Sequence, residues 1–112
     1  MPFIDYNTRK RIQIWDGVSG PVYHSEKSTI GHFTLEAGID LPSHSHPHEQ
    51  WANLVEGEME FTVSDETILM KPGMTAYIPS NVPHAAKAIT ECKVIDVFIP
   101  PREDFIELET KS

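Results

Sequence analysis

The stretch Gly38-Ile39-Asp40-Leu41-Pro42-Ser43-His44-Ser45-His46-Pro47-His48-Glu49-Gln50 sets three histidines within five residues. Residues two apart on an extended chain project to the same side, so His44 and His46 can reach one point together. A metal ion needs several lone pairs converging on such a point, and two imidazoles at this spacing supply them. Pro42 and Pro47 bracket the pair and restrict the backbone, which lowers the entropic cost of holding it ready. A further histidine, His84, follows Pro83 almost forty residues downstream. A site closed by so distant a ligand ties two strands together. The plain alternative for a histidine-rich run is a solvated loop.

Working outward, the chain reads as short alternating segments between frequent turns. Met59, Phe61 and Val63 fall on one face of 58–63 and polar residues on the other, a half-buried strand. Similar strands are expected at 12–15, 29–36, 50–55, 68–70, 75–78 and 93–99. Turn signals lie at Ser19-Gly20-Pro21, Ala37-Gly38, Glu56-Gly57, Ser64-Asp65-Glu66, Lys71-Pro72-Gly73 and Ser80-Asn81. Nine prolines and six glycines leave no long helical segment between them. Many short strands with frequent turns predict an all-β antiparallel sandwich or barrel. After Pro100-Pro101, Glu103 and Asp104 would occupy the first turn of a brief C-terminal helix.

Size and charge narrow the function. One domain over residues 1–112 is expected, burying roughly 65% of the surface of the unfolded chain. The longest apolar runs are three residues (Ile68 to Met70, Ala76 to Ile78, Val97 to Ile99), which excludes a membrane-spanning helix. Seventeen acids against nine bases, net −8, argue against nucleic-acid or anionic-membrane partners. Cys92 is the only cysteine, so no intrachain disulfide and no cysteine-based zinc site is possible. A soluble, cytoplasmic protein is the expectation.

The spacing Gly38, five residues, His44-x-His46, three residues, Gln50, six residues, Gly57 resembles the first motif of the cupin superfamily. Gly73, five residues, Pro79, four residues, His84 resembles the second, which runs to Ala88. The resemblance implies a single-domain jelly-roll β-barrel with motif 1 at 38–57 and motif 2 at 73–88. It implies one divalent metal ion held by His44, His46, Gln50 and His84, with zinc, nickel, iron and manganese all compatible. It also implies a homodimer, as small cupins commonly are. Three positions depart from the pattern: Gln50 replaces the usual Glu, Asn81 a Gly and Ala88 an Asn. Asn81 is the mildest change, since Asn tolerates a left-handed turn. Gln50 is neutral: as a ligand it leaves the ion's full charge uncompensated, which favours an anionic oxygen in the open positions. Gln50 standing behind the ligands is the alternative.

Near the C-terminus, alternation puts Val94, Asp96 and Phe98 on one face. A buried carboxylate must be paired, coordinated or functional, because unpaired burial costs several kcal/mol. Asp96-x-Phe98-x-Pro100-x-Arg102 is similar to the closing segment of the small pectin-degradation cupins (the KdgF type), which ketonise unsaturated uronates. That likeness implies catalytic roles for Asp96, Phe98 and Arg102 and a small anionic, uronate-like substrate. Asp96 would shuttle a proton, Phe98 would shape the pocket and Arg102 would clamp a carboxylate. Other readings are a cupin dioxygenase or lyase, or a non-catalytic sugar- or effector-binding cupin.

The remaining conspicuous residues read as structural. His48 is expected at a rim or loop, and His32 inside the barrel as a satisfied histidine. Trp51 is expected between the sheets or at a subunit contact. Trp15, Phe3 and Tyr6 are expected to cover a sheet edge or a partner subunit. Glu103, Asp104, Glu107 and Glu109 are expected to form a solvated acidic tail.

Overall fold

The structure, a computed structural model, describes residues 2–111. In chain order its strands are β1 (Arg11–Trp15), β2 (Val18–His24), β3 (Thr29–Leu35), β4 (Asp40–His44) and β5 (Glu49–Glu56). They continue with β6 (Met59–Val63), β7 (Glu66–Met70), β8 (Thr75–Ile78), β9 (His84–Ala88) and β10 (Cys92–Ile99). Helix α1 (Glu103–Lys111) starts just after the paired prolines, with Glu103 and Asp104 in its first turn. No helix among the described residues is long and apolar enough to cross a membrane.

Two antiparallel sheets face one another. One runs β1-β2-β3-β10-β5-β8 and the other β4-β9-β6-β7. This is a double-sheet jelly roll, and no ladder joins the two sheets edge to edge among the described residues. Alternation supplies the core: Thr29, Gly31, Phe33 and Leu35 point inward from β3, and Cys92, Val94, Asp96 and Phe98 from β10. Val22, Phe33, Met59, Ile78 and Ala88 are among the deepest apolar side chains between the sheets.

Two strands unmarked by hydrophobic alternation, β4 and β9, carry His44 and His84. The expected turn at Ser19-Gly20-Pro21 is instead the middle of β2. Gly20 is required there because a Cβ would collide with the His32 carbonyl of β3. The β2–β3 register is unchanged on either side of the Gly-Pro pair, with Ser19 opposite Thr34 and Val22 opposite Gly31. The strand therefore passes through residues that ordinarily punctuate a chain. The turn at Ser80-Asn81 forms as expected, and Asn81 has a φ of 66°. That left-handed conformation explains why Asn is accepted where glycine is usual.

Candidate metal centre

Register places the site. In the smaller sheet His44 of β4 lies directly opposite His84 of β9. In the larger sheet Gln50 of β5 lies opposite Phe98 of β10, with Asp96 two residues further along β10. His46 sits in the link between β4 and β5, so it bridges the two sheets at one end of the roll. That link is anchored by the second hairpin: the Asn81 N–H donates to the His46 carbonyl at 2.8 Å, and the Ser80 hydroxyl to the Pro47 carbonyl at 2.5 Å.

The three imidazoles form one cluster. Ring centroids are 4.2 Å apart for His44 and His84, and 4.8 Å for His46 and His84. One ligating atom from each ring lies within 4.8 Å of the others. Each Nδ1 faces a backbone carbonyl: His44 that of Pro42 at 2.8 Å, His46 that of His48 at 2.9 Å, His84 that of Val82 at 2.9 Å. A carbonyl can only accept, so all three Nδ1 atoms carry a proton, and in the neutral imidazole the lone pair is then on Nε2. Metal-binding histidines are oriented in this way. The buried Nε2 of His84 has no hydrogen-bond partner. Burial is also the main reason its pKa drops to about 4, against the raising effect of the Val82 carbonyl bond and with the Arg102 charge adding to the drop. Burial lowers that of His46 as well. Neutral imidazoles with free, convergent lone pairs fit a divalent cation.

Gln50 completes the set. Its Oε1 lies 3.1 Å from His46 Nε2, and its Nε2 donates to Asp96 Oδ1 at 3.1 Å. Since Nε2 of His46 is a lone pair, the Gln50 oxygen does not receive a proton there; both atoms face the same point, as two ligands of one ion do. Asp96 is thus held by an amide and not by a lysine or arginine. Burial pushes its pKa up to about 7, against the lowering effects of the Gln50 bond and Arg102.

Arg102 stands on the same cavity with its guanidinium carbon 4.0 Å from the Phe105 ring centroid and 4.7 Å from that of Phe98. Its backbone N–H donates to the buried Thr29 hydroxyl at 2.8 Å. Nε and Nη2 donate to the two carboxylate oxygens of Asp104 at 3.0 and 2.8 Å. Among the described residues, Nη1 and the second Nη2 proton meet no acceptor. Asp104 is thus not simply solvated, and the Arg102 guanidinium holds its carboxyl below the usual range. Glu109 likewise pairs with Arg9 at 3.3 Å, so the acidic tail is structural at two points.

All seven residues singled out from the sequence (His44, His46, Gln50, His84, Asp96, Phe98 and Arg102) line one cavity of about 250 Å³. His48 stands behind it, its ring 5.6 Å from that of His46. Several expectations fail. His32 is on the outer face of the larger sheet, stacked on Tyr6 at 4.1 Å and bonded to the Tyr23 hydroxyl at 2.7 Å. Trp51 is on that outer face too, against Tyr77 at 4.4 Å, which removes the place between the sheets and leaves the other expected one, a subunit contact. Trp15, at the end of the edge strand β1, also lines the cavity, a place the sequence did not suggest. Sequence reasoning missed Trp15 and Asp104, although Asp104 lies two residues from Arg102, a spacing that permits such a local pair.

A family model described as a cupin domain matches residues 31–98. No curated protein sequence matches this chain. An RmlC-like cupin from Shewanella frigidimarina superimposes with a TM-score of 0.88 at 25% identity, covering 94% of this chain and 96% of that one. KdgF from Halomonas sp. gives 0.86 at 23% identity, with 94% and 98% covered. A salicylate 1,2-dioxygenase from Pseudoaminobacter salicylatoxidans gives 0.72 at 17%, with 78% of this chain covered but 28% of that one. With the motif spacing, the jelly roll and the three-histidine cluster in agreement with the match over 31–98, the chain belongs to the cupin domain family.

Proposed function

We propose that this protein is a metal-dependent cupin enzyme that ketonises 4,5-unsaturated uronates of the kind released by pectin or alginate lyases. The observation that carries the reading is Asp96: a buried carboxyl, bonded to Gln50, on the same cavity as the histidine cluster and Arg102. The fold likeness to a KdgF structure supports it.

The reaction is an isomerisation. The hemiacetal proton leaves, the bond between C1 and the ring oxygen breaks to give an aldehyde and an enolate, and a proton arrives at C4 as C5 becomes a ketone. Nothing is oxidised or reduced, and one group able to take and give a proton suffices. Asp96 suits that role, since burial holds its carboxyl near neutrality while the Gln50 amide fixes its direction. The remaining Arg102 donors take the substrate carboxylate, with Phe98 and Phe105 packed against the guanidinium to hold it in place. A divalent ion held by His44, His46, His84 and Gln50 would supply Lewis acidity toward substrate oxygens.

Metal-replete protein should remove the ultraviolet absorbance of the conjugated alkene of an unsaturated monouronate. Asp96→Asn should keep its metal and lose roughly 100-fold or more in turnover. Full activity in that variant would sink the proton-shuttle role. The likeness to a salicylate dioxygenase favours a second reading, oxygenation, which oxygen consumption with bound iron would reveal. We also propose a homodimer, supported by the exposed Trp51, Val55, Tyr77 and Ile99 on the larger sheet. Light scattering on a sizing column decides it.

A further inference from the structure

Two consecutive residues of β1, Ile14 and Trp15, line the same cavity. A regular strand forbids this, because neighbours point to opposite faces. The β1–β2 ladder explains the exception. Arg11, Ile12 and Gln13 pair in one register with Pro21, Gly20 and Ser19, but Trp15 pairs with Val18, slipped by one residue. This irregularity acts as a bulge and turns a side chain that alternation would send outward back toward the site.

The indole that arrives there is 44% exposed. Its ring stacks toward His44, with centroids 6.4 Å apart and planes at 21°. Leu41 of β4 and Leu108 of α1 reach the same cavity, and Leu108 is 39% exposed. The cavity therefore combines a histidine cluster and an arginine with a wet, flat, apolar wall. A single exposed apolar side chain needs no explanation. An indole re-aimed by a break in a ladder, beside a candidate ligand, does.

We propose that Trp15 is a ligand-stacking subsite. It takes the ring of a small cyclic carboxylic acid, an aromatic ring or the C–H face of a sugar, whose anionic end lies at the histidine cluster and Arg102. The proposal rests on the anion-binding site placed above, but not on ketonisation. Indole faces bind flat rings by dispersion and quadrupole attraction, and excluding water from Trp15 and Leu108 adds to it.

The test uses zinc-loaded Trp51→Phe protein, in which Trp15 is the one remaining indole. Mandelate and glycolate share an α-hydroxy acid head and differ by a phenyl ring; galacturonate offers a sugar ring. Titration by indole fluorescence and calorimetry should give mandelate or galacturonate about tenfold tighter binding than glycolate. By calorimetry the preference should persist with Trp15→Phe and vanish with Trp15→Ala, at unchanged zinc content. Which ring loses more on Trp15→Ala assigns the ligand as aromatic or saccharide. Equal binding of all three acids, or a preference that survives Trp15→Ala, would overturn the proposal. Conversion of an unsaturated uronate without ring preference sinks this inference alone. Ring preference without conversion sinks the ketonisation reading alone.

Discussion

Gln50 and Asp96 are joined by a 3.1 Å hydrogen bond across adjacent strands, from the side-chain amide to the carboxyl. The bond does two things at once. It turns the amide oxygen toward His46, 3.1 Å away, and it gives the buried carboxyl its hydrogen-bond donor.

Gln50→Glu tests the first effect. In metal-free protein the new carboxylate would face Asp96 at hydrogen-bond distance, so the pair would share one proton and destabilise the fold above neutral pH. With metal bound, the negative ligand would cut the site's net charge from 2+ to about 1+. Oxalate, as an anionic probe, should then bind about tenfold more weakly, measured by calorimetry. Equal or tighter oxalate binding would rule out a role for the neutral ligand in favouring anions.

The pH dependence of stability tests the second. Asp96 has a folded pKa near 7, above the unfolded value of about 3.9, so its contribution is fully present below pH 4 and lost as pH rises through 7. His84, at about 4 when folded and about 6.5 unfolded, contributes oppositely: its stability is present above 6.5 and lost as pH falls toward 4. Between these limits the two slopes offset each other in the parent. Chelator-treated Asp96→Asn keeps only the histidine slope. Urea unfolding should therefore show the variant gaining on the parent by a few kcal/mol from pH 4.5 to 7.5. Parallel curves would mean that Asp96 is ionised throughout.

His84→Ala and His48→Ala should separate sharply in metal content. Loss of the His84 nitrogen removes a candidate ligand, and zinc affinity should fall by more than about 100-fold. The His48 position serves His46 through its backbone carbonyl, which alanine retains. Competition with a chromophoric chelator should show less than about a tenfold change for His48→Ala. Metal loss in that variant would make His48 a ligand.

Asp104→Ala should raise KM for the uronate by about tenfold with a smaller effect on kcat, because it frees the Arg102 fork to rotate. Arg102→Lys should not restore binding, since an ammonium offers no planar pair of donors. A lower KM in Asp104→Ala would show that Asp104 competes with the substrate instead of positioning its receptor.

How much of this was legible beforehand follows from range along the chain. Alternation in β10 foretold that Asp96 and Phe98 share the inner face, and the two glycine- and proline-marked motifs foretold which histidines would meet. His84 was readable as a partner of His44 through the resemblance of the two spacings to the cupin motifs, since nothing local to either segment pairs them. The Gly20-Pro21 pair misled, because its strand role depends on a close approach to the His32 carbonyl from β3.

By itself the sequence determined the strand periodicity, the left-handed turn at Asn81 and the residue types offered to a cation, all properties set within a few neighbouring residues. Tertiary structure alone decided that the three imidazoles meet at one point, that Gln50 bonds to Asp96 across two strands, that Leu108 of α1 reaches the same cavity, and that Trp15 turns inward. Those depend on ladder register, one bulge and the docking of α1, where distant segments select among conformations that local chemistry leaves equally open.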